Sequence, residues 1–447
     1  MKYDFDSIVD RRGTNCVKWD TPNNVGVPPG EVIPMWVADM DFRTAPCIIE
    51  ALRARVEHGV FGYTAVPDSY YDAVIQWFSR RRGWSIQRDW IMYTTAVVPA
   101  LSVCIKAFTE PGDKVVFITP AYNCFFSSVR NAGCICSESP VIYSRSGGVV
   151  SVSVDWADIE RRCADPAARV LLLCNPHNPV GRVWTREELL KVGEICLKHN
   201  VFVISDEIHC ELTYPGHDYT PWATLPEEMV RNSVSCISPT KAFNIAGIQI
   251  ANIFASDPDI HARMVRAISE NECRDVNVFG VAALKAAYNH GEAWLDELRE
   301  YLWDNARTVY CFLEDNLPGV VASPLEGTYL MWLDFRRFFN PTLRVRAQND
   351  KEKTQNDNPG AQCNNGAVHI PVISSEARNL FSEGFSERLA EFLEKEAGVK
   401  LSTGTIYGAV AEGWERLNIA CPRKVLLEGL ERLAKGLHAF AAKYERV

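Results

Sequence analysis

The chain reads as an α/β protein, with a large domain built on a mainly parallel central sheet and a smaller α+β domain beside it. Two observations carry that reading. From about residue 46 to 290, short fully apolar runs alternate with helical patterns. Such alternation is what a parallel sheet covered on both faces requires. Beyond about residue 290 the pattern changes to longer amphipathic helices interrupted by one strand-like run. A length of 447 residues leaves room for both domains.

In chain order, Lys114-Val115-Val116-Phe117-Ile118 follows the turn signal Pro111-Gly112-Asp113 and reads as a buried strand. Val170-Leu171-Leu172-Leu173-Cys174, closed by Asn175-Pro176, is the next, and Val201-Phe202-Val203-Ile204-Ser205 a third. Between them Thr185 to His199 reads as a helix, opened by Thr185-x-x-Glu188, in which the Thr and Glu side chains satisfy each other's exposed backbone N–H groups. After the change of pattern, Thr328-Tyr329-Leu330-Met331-Trp332-Leu333 is strand-like. The expected division is a large domain over 46–289 and a small one formed by 1–45 with 290–447. A stretch from about 340 to 381, with Arg344 to Lys353 followed by an Asn/Gly/Gln-rich run, has no apolar period and is expected to be a disordered or loosely packed insertion.

Composition narrows the function classes. A net charge of -9 and the lack of a basic run interleaved with aromatics argue against a nucleic-acid partner. The fifteen cysteines are scattered, mostly in apolar contexts such as Leu173-Cys174, and no pair has zinc-ligand spacing. Free thiols in a reducing cytoplasm and no metal are therefore expected. No run reaches ~18 apolar residues and the first residues carry no signal-like core, so neither membrane nor export is expected.

Four motifs fall at the ends of expected strands, where open α/β sheets place ligands. They are Thr119-Pro120-Ala121-Tyr122, Asn175-Pro176-His177-Asn178-Pro179-Val180-Gly181, Ser205-Asp206-Glu207-Ile208-His209 and Ser238-Pro239-Thr240-Lys241-Ala242-Phe243-Asn244. Each alone has a bland explanation: an Asn-Pro turn, a capping Asp, a surface Lys. Together and in order they suit pyridoxal 5'-phosphate (PLP), a pyridinium aldehyde. Lys241, desolvated near a cationic ring, can be a neutral amine able to form an imine. An ionised Asp206 would keep the ring nitrogen protonated, Tyr122 could stack on the ring, and Asn178 could donate to its phenolate oxygen. His209 would support that region, while Ser238 and backbone amides at Ala96 and Val97 would supply phosphate donors if a helix starts there.

With these residues in view, the chain resembles the fold-type I PLP enzymes, the aminotransferase class I/II superfamily, and within it the MalY/PatB family of cystathionine β-lyases. The likeness rests on Asp10-Arg11-Arg12-Gly13-Thr14, Val37-Ala38-Asp39-Met40-Asp41-Phe42, Ala45 to Leu52, His58-Gly59-Val60-Phe61-Gly62-Tyr63, Ser205 to His209, and Arg416-Leu417-Asn418-Ile419-Ala420-Cys421-Pro422-Arg423. It implies that Lys241 holds the cofactor and that Arg416, with Ala38, binds the substrate α-carboxylate. It also implies that Tyr63 reaches the cofactor phosphate of a neighbouring subunit in a homodimer. Two departures are Ala96, where the family often has Gly, and Gln249, where many aminotransferases carry a phosphate-binding Arg.

The resemblance implies α,β-elimination on an S-substituted cysteine such as cystathionine, with Lys241 removing the Cα proton and thiol, pyruvate and ammonia as products. An aminotransferase on the same scaffold is the alternative. A regulatory binding protein is a third reading, since one family member also restrains a transcriptional activator.

Overall fold

The computed structural model describes residues 1–20, 31–146, 149–339 and 384–444. The insertion expected over 340–381 lies outside them. Strand β1 (Ile33–Pro34) is short and is paired far away in sequence. The central sheet comprises β2 (Ile91–Thr94), β3 (Lys114–Thr119), β4 (Ile135–Pro140), β7 (Ala168–Cys174), β8 (Phe202–Asp206), β9 (Ser233–Ile237) and β10 (Ala251–Phe254). A separate hairpin pairs β5 (Ile142–Ser146) with β6 (Val149–Ser153). The seven strands run in the order β2-β10-β9-β8-β7-β3-β4, and only β10 is antiparallel to its neighbours.

The apolar runs become these strands because side chains alternate between faces that are both covered. Val115 and Phe117 pack on one face with Leu101 and Met264, from helices Val97–Phe108 and Pro258–Glu270. Val116 and Ile118 pack on the other with Ile159 and Leu189, from helices Trp156–Cys163 and Arg186–Lys198. Each such side chain contributes roughly 1.5–3 kcal/mol on burial. Helix Arg186–Lys198 is capped as the sequence indicates: Thr185 accepts from Glu188 N at 3.2 Å while the Glu188 carboxylate accepts from Thr185 N at 3.0 Å.

A second, antiparallel sheet has the order β11-β12-β15-β14, from β11 (Val321–Ala322), β12 (Leu330–Asp334), β14 (Ser402–Thr403) and β15 (Trp414–Asn418). Its β12 starts later than the expected run: Thr328 takes a positive φ of 69°, which an extended strand does not allow. Leu417 of this sheet shares a core with Leu302 of helix Glu292–Asn316 and Leu430 of helix Arg423–Tyr444. The N-terminal segment joins this part, since β1 pairs in parallel with β13 (Val399–Lys400). Strands β3, β7, β8 and β9 all end on one edge of the central sheet, and that edge carries the four motifs.

Candidate active site

Asp206 is the last residue of β8 and is 2% exposed. Its carboxylate accepts from Ile208 N at 3.2 Å. Burial, with the neighbouring Glu207 charge adding to it, raises its pKa to about 7, against the lowering effects of that bond and of Lys241. The next side chain, Glu207, turns the other way and is enclosed by Tyr219, Ser205, Ser235 and the Trp222 amide. That buried hydrogen-bond set buttresses the end of β8, and the Asp206 charge acts on Lys241 alongside that of Asp39.

Lys241 lies in the turn after β9 and donates from Nζ to the Ala38 carbonyl at 2.6 Å. Desolvation first, then the Arg416 charge, lower its pKa to about 8, with Asp39 and Asp206 opposing. A neutral amine is thus accessible near ordinary pH. Tyr329 donates to the same Ala38 carbonyl at 2.9 Å, and its ring meets His209 edge-on, 6.2 Å between centroids. His209 is buried, and burial together with Lys241 and Arg416 holds its pKa far below the usual imidazole value, so it is neutral. Its Nδ1 is buried without a partner.

Arg416 enters from β15 and is 4% exposed. Its Nη1 donates to Asn178 Oδ1 at 3.0 Å, its Nη2 to the Trp36 carbonyl at 2.6 Å, and its guanidinium lies 4.9 Å from the Tyr407 ring centroid. With Oδ1 of Asn178 given to Arg416, the amide's remaining polar group is its Nδ2 donor. Tyr122 stands immediately before helix Asn123–Asn131, where the charges of Arg416 and Asp206 both reach its hydroxyl. The structure therefore brings together Lys241, Asp206, Asn178, Tyr122, His209, Arg416 and Ala38.

The residues expected around a phosphate sit at the same edge. Ala96 is the extended residue before helix Val97–Phe108, which no side chain caps. Just before it, the Thr94 hydroxyl is buried without a partner. Ser238 donates to the Ile250 carbonyl at 2.6 Å and accepts from Thr240 N, so its proton is directed within the protein. Gln249 is exposed and takes a φ of 56°. Tyr63 is fully exposed, at 104%, and lines a surface groove of about 1050 Å³ with Arg55, His58 and Lys285. Within one chain it is not among the residues around Lys241.

Sequence reasoning missed Tyr329, Asn244 and Asn418. Asn244 accepts from Met40 N and donates to the Met40 and Phe42 carbonyls; Asn418 donates to the Val37 and Asp39 carbonyls. For the two asparagines the available signal was their place inside motifs already singled out, three residues after Lys241 and two after Arg416; Tyr329 lay in a run read only as a strand.

The donor set fits a phosphorylated pyridinium aldehyde. A buried acid lacks a close cation, a lysine amine is held near neutrality, and an uncapped helix N-terminus lies beside an orphaned hydroxyl.

The chain is similar to known proteins along most of its length. Residues 31–433 match the family model for aminotransferase class I and II. Cystathionine beta-lyase PatB of Bacillus subtilis is 37% identical over 97% of this chain and 99% of its own length. Protein MalY of Escherichia coli is 30% identical over 98% of this chain and 99% of its own length. Among solved structures, PLP-containing cystalysin from Treponema denticola superposes with a TM-score of 0.83 at 32% identity, covering 98% of this chain and 100% of that one. The PLP-bound C-S lyase from Staphylococcus hominis gives a TM-score of 0.78 at 29% identity, with 98% of each chain covered. The chain belongs to the aminotransferase class I and II family, in the branch that holds PatB and MalY.

Proposed function

We propose that the protein is a PLP-dependent carbon–sulfur lyase that cleaves S-substituted cysteines such as cystathionine by α,β-elimination. The observation that carries it is the convergence of Lys241 and Asp206, from one edge of the central sheet, with Arg416 from the second sheet, in a chain whose full-length relatives include cystathionine β-lyases. PLP, when bound, supplies an electrophilic aldehyde carbon and a ring that draws electrons from the substrate Cα.

The chain's own residues then have separable tasks. Asp206 is ionised by a cation at its carboxylate and holds a proton opposite itself. The backbone amides at Ala96 and Val97 would hold the phosphate end, with Ser238 there only if its hydroxyl turned from the Ile250 carbonyl; Asn178 would donate from Nδ2, and neutral His209 adds no charge. Arg416, oriented by Asn178 and the Trp36 carbonyl, grips the α-carboxylate beside Ala38. Lys241 takes the Cα proton as a neutral amine, and its ammonium can return that proton to the departing sulfur. General acid–base transfer of this kind contributes ~10²–10⁴-fold. The remaining product hydrolyses to pyruvate and ammonia.

The proposal includes a homodimer in which Tyr63 completes the neighbour's phosphate site, supported by its full exposure beside a large groove. The active site then lies between the portion 46–289 and the portion formed by 1–45 with 290–447. No described helix is long and apolar enough to cross a membrane, and we place the enzyme in the cytoplasm.

The test is incubation with cystathionine in the absence of any 2-oxo acid. Pyruvate and homocysteine in equal amounts, abolished in Lys241→Ala, are expected. Turnover that strictly requires a 2-oxo acid acceptor would instead make the protein an aminotransferase.

A further inference from the structure

Lys241 and Arg416 come from different sheets, yet an amino-acid substrate must present its Cα proton to one and its carboxylate to the other. The piece between them is the loop 36–42. On one side, Asn244 fastens it to the Lys241 turn: Oδ1 accepts from Met40 N at 3.0 Å, and Nδ2 donates to the Met40 and Phe42 carbonyls at 2.9 and 2.8 Å. On the other side, Asn418 fastens it to the Arg416 strand. Its Nδ2 donates to the Val37 and Asp39 carbonyls at 2.5 and 2.6 Å, and its backbone N to the Met35 carbonyl at 2.9 Å.

Between these fastenings the Ala38 carbonyl is turned to Lys241 Nζ, and the Trp36 carbonyl to Arg416 Nη2. The loop is therefore a spacer touching both functional groups. Its outer side adjoins a cavity of about 210 Å³ lined by Arg11, Asp39, Asp41 and Asn244, so close packing does not hold it everywhere. The Arg11 and Lys18 ion pairs to Asp39 and Asp41 tie it only to the preceding segment.

We propose that Asn244 and Asn418 are positioning residues with divided tasks. Asn244 sets the proton-transfer geometry of Lys241, and Asn418 sets the carboxylate site at Arg416. The division rests on the roles assigned to Lys241 and Arg416 above. It concerns any amino acid bound there, including one with no leaving group.

L-Alanine in deuterated buffer is the probe, because it can bind and exchange its Cα hydrogen but has nothing to eliminate. With the holoenzyme, the spectroscopic Kd for alanine reads the carboxylate site. The Cα exchange rate at saturation, followed by NMR, reads Lys241. Asn418→Ala is expected to raise Kd about tenfold with a near-native exchange rate at saturation. Asn244→Ala is expected to lower that rate about tenfold with a near-native Kd. Serine at either position carries the same comparison where an alanine variant does not fold. Equal changes in both quantities for both variants, or no change in either, overturns the division. Native enzyme that exchanges alanine but leaves cystathionine intact overturns the lyase reading and leaves this one standing.

Discussion

Asp206 is a carboxyl group whose proton the folded chain holds more tightly than water would until a cation arrives. Its pKa stands at about 7 against an ordinary 3.8. The folded state therefore binds more protons than the unfolded one between those values, and stability falls as pH rises through that window. The difference amounts to something on the order of 4 kcal/mol. A cofactor that places a cation at the carboxylate relieves that loss. The rise in melting temperature on adding PLP should accordingly be larger at pH 8 than at pH 5, and Asp206→Asn should flatten the difference. An equal pH dependence in the Asp206→Asn variant and the native protein would remove Asp206 from the cofactor contact. The identities of Lys241, Asp206, Asn178 and Arg416 were legible because each stands in a short, type-specific motif at a strand end. Asn244 and Asn418 were not, because their partners are backbone carbonyls roughly two hundred or more residues away, which leave no mark on local sequence.

At the scale of elements, apolar runs bounded by turn signals located β3, β7 and β8 to within two residues. Helix Arg186–Lys198 was legible because its cap is written in two side chains. Replacing Thr185 by Ala removes the acceptor for the Glu188 amide and should cost about 1 kcal/mol. Urea unfolding should show a lower midpoint at unchanged slope, with cystathionine turnover at saturation unaffected. A loss of activity without loss of stability would contradict a purely local role. Strand β10 escaped notice because Ala251–Phe254 is only four residues long. Its antiparallel placement between β2 and β9 is a matter of tertiary pairing that no local pattern encodes.

For the whole molecule, the proposed sharing of sites has a direct consequence. Lys241→Ala and Tyr63→Ala chains, each impaired alone, form hybrids on mixing in which one of the two sites has both native residues. Unfolding and refolding an equimolar mixture should restore about a quarter of native activity, since random pairing makes about half the dimers hybrids. Activity no greater than the average of the two variants would confine each site to a single chain. The architecture was legible from alternation, and the N-terminal segment was expected to join the small domain; the pairing of β1 with β13 that makes this closure was not legible. Two-residue strands such as β1 and β13 are too short to carry a pattern.

That closure also bears on how the enzyme is made. Ile33 and Pro34 pair with Val399 and Lys400, and the loop that follows β1 is fastened by Asn418. A ribosome releases the first partners long before the second. Until then the N-terminal segment has no strand to join and the loop lacks its second anchor. A growing chain can assemble the central sheet and its lysine, but the grip on an amino-acid carboxylate arises only once the segment carrying Val399, Arg416 and Asn418 has followed.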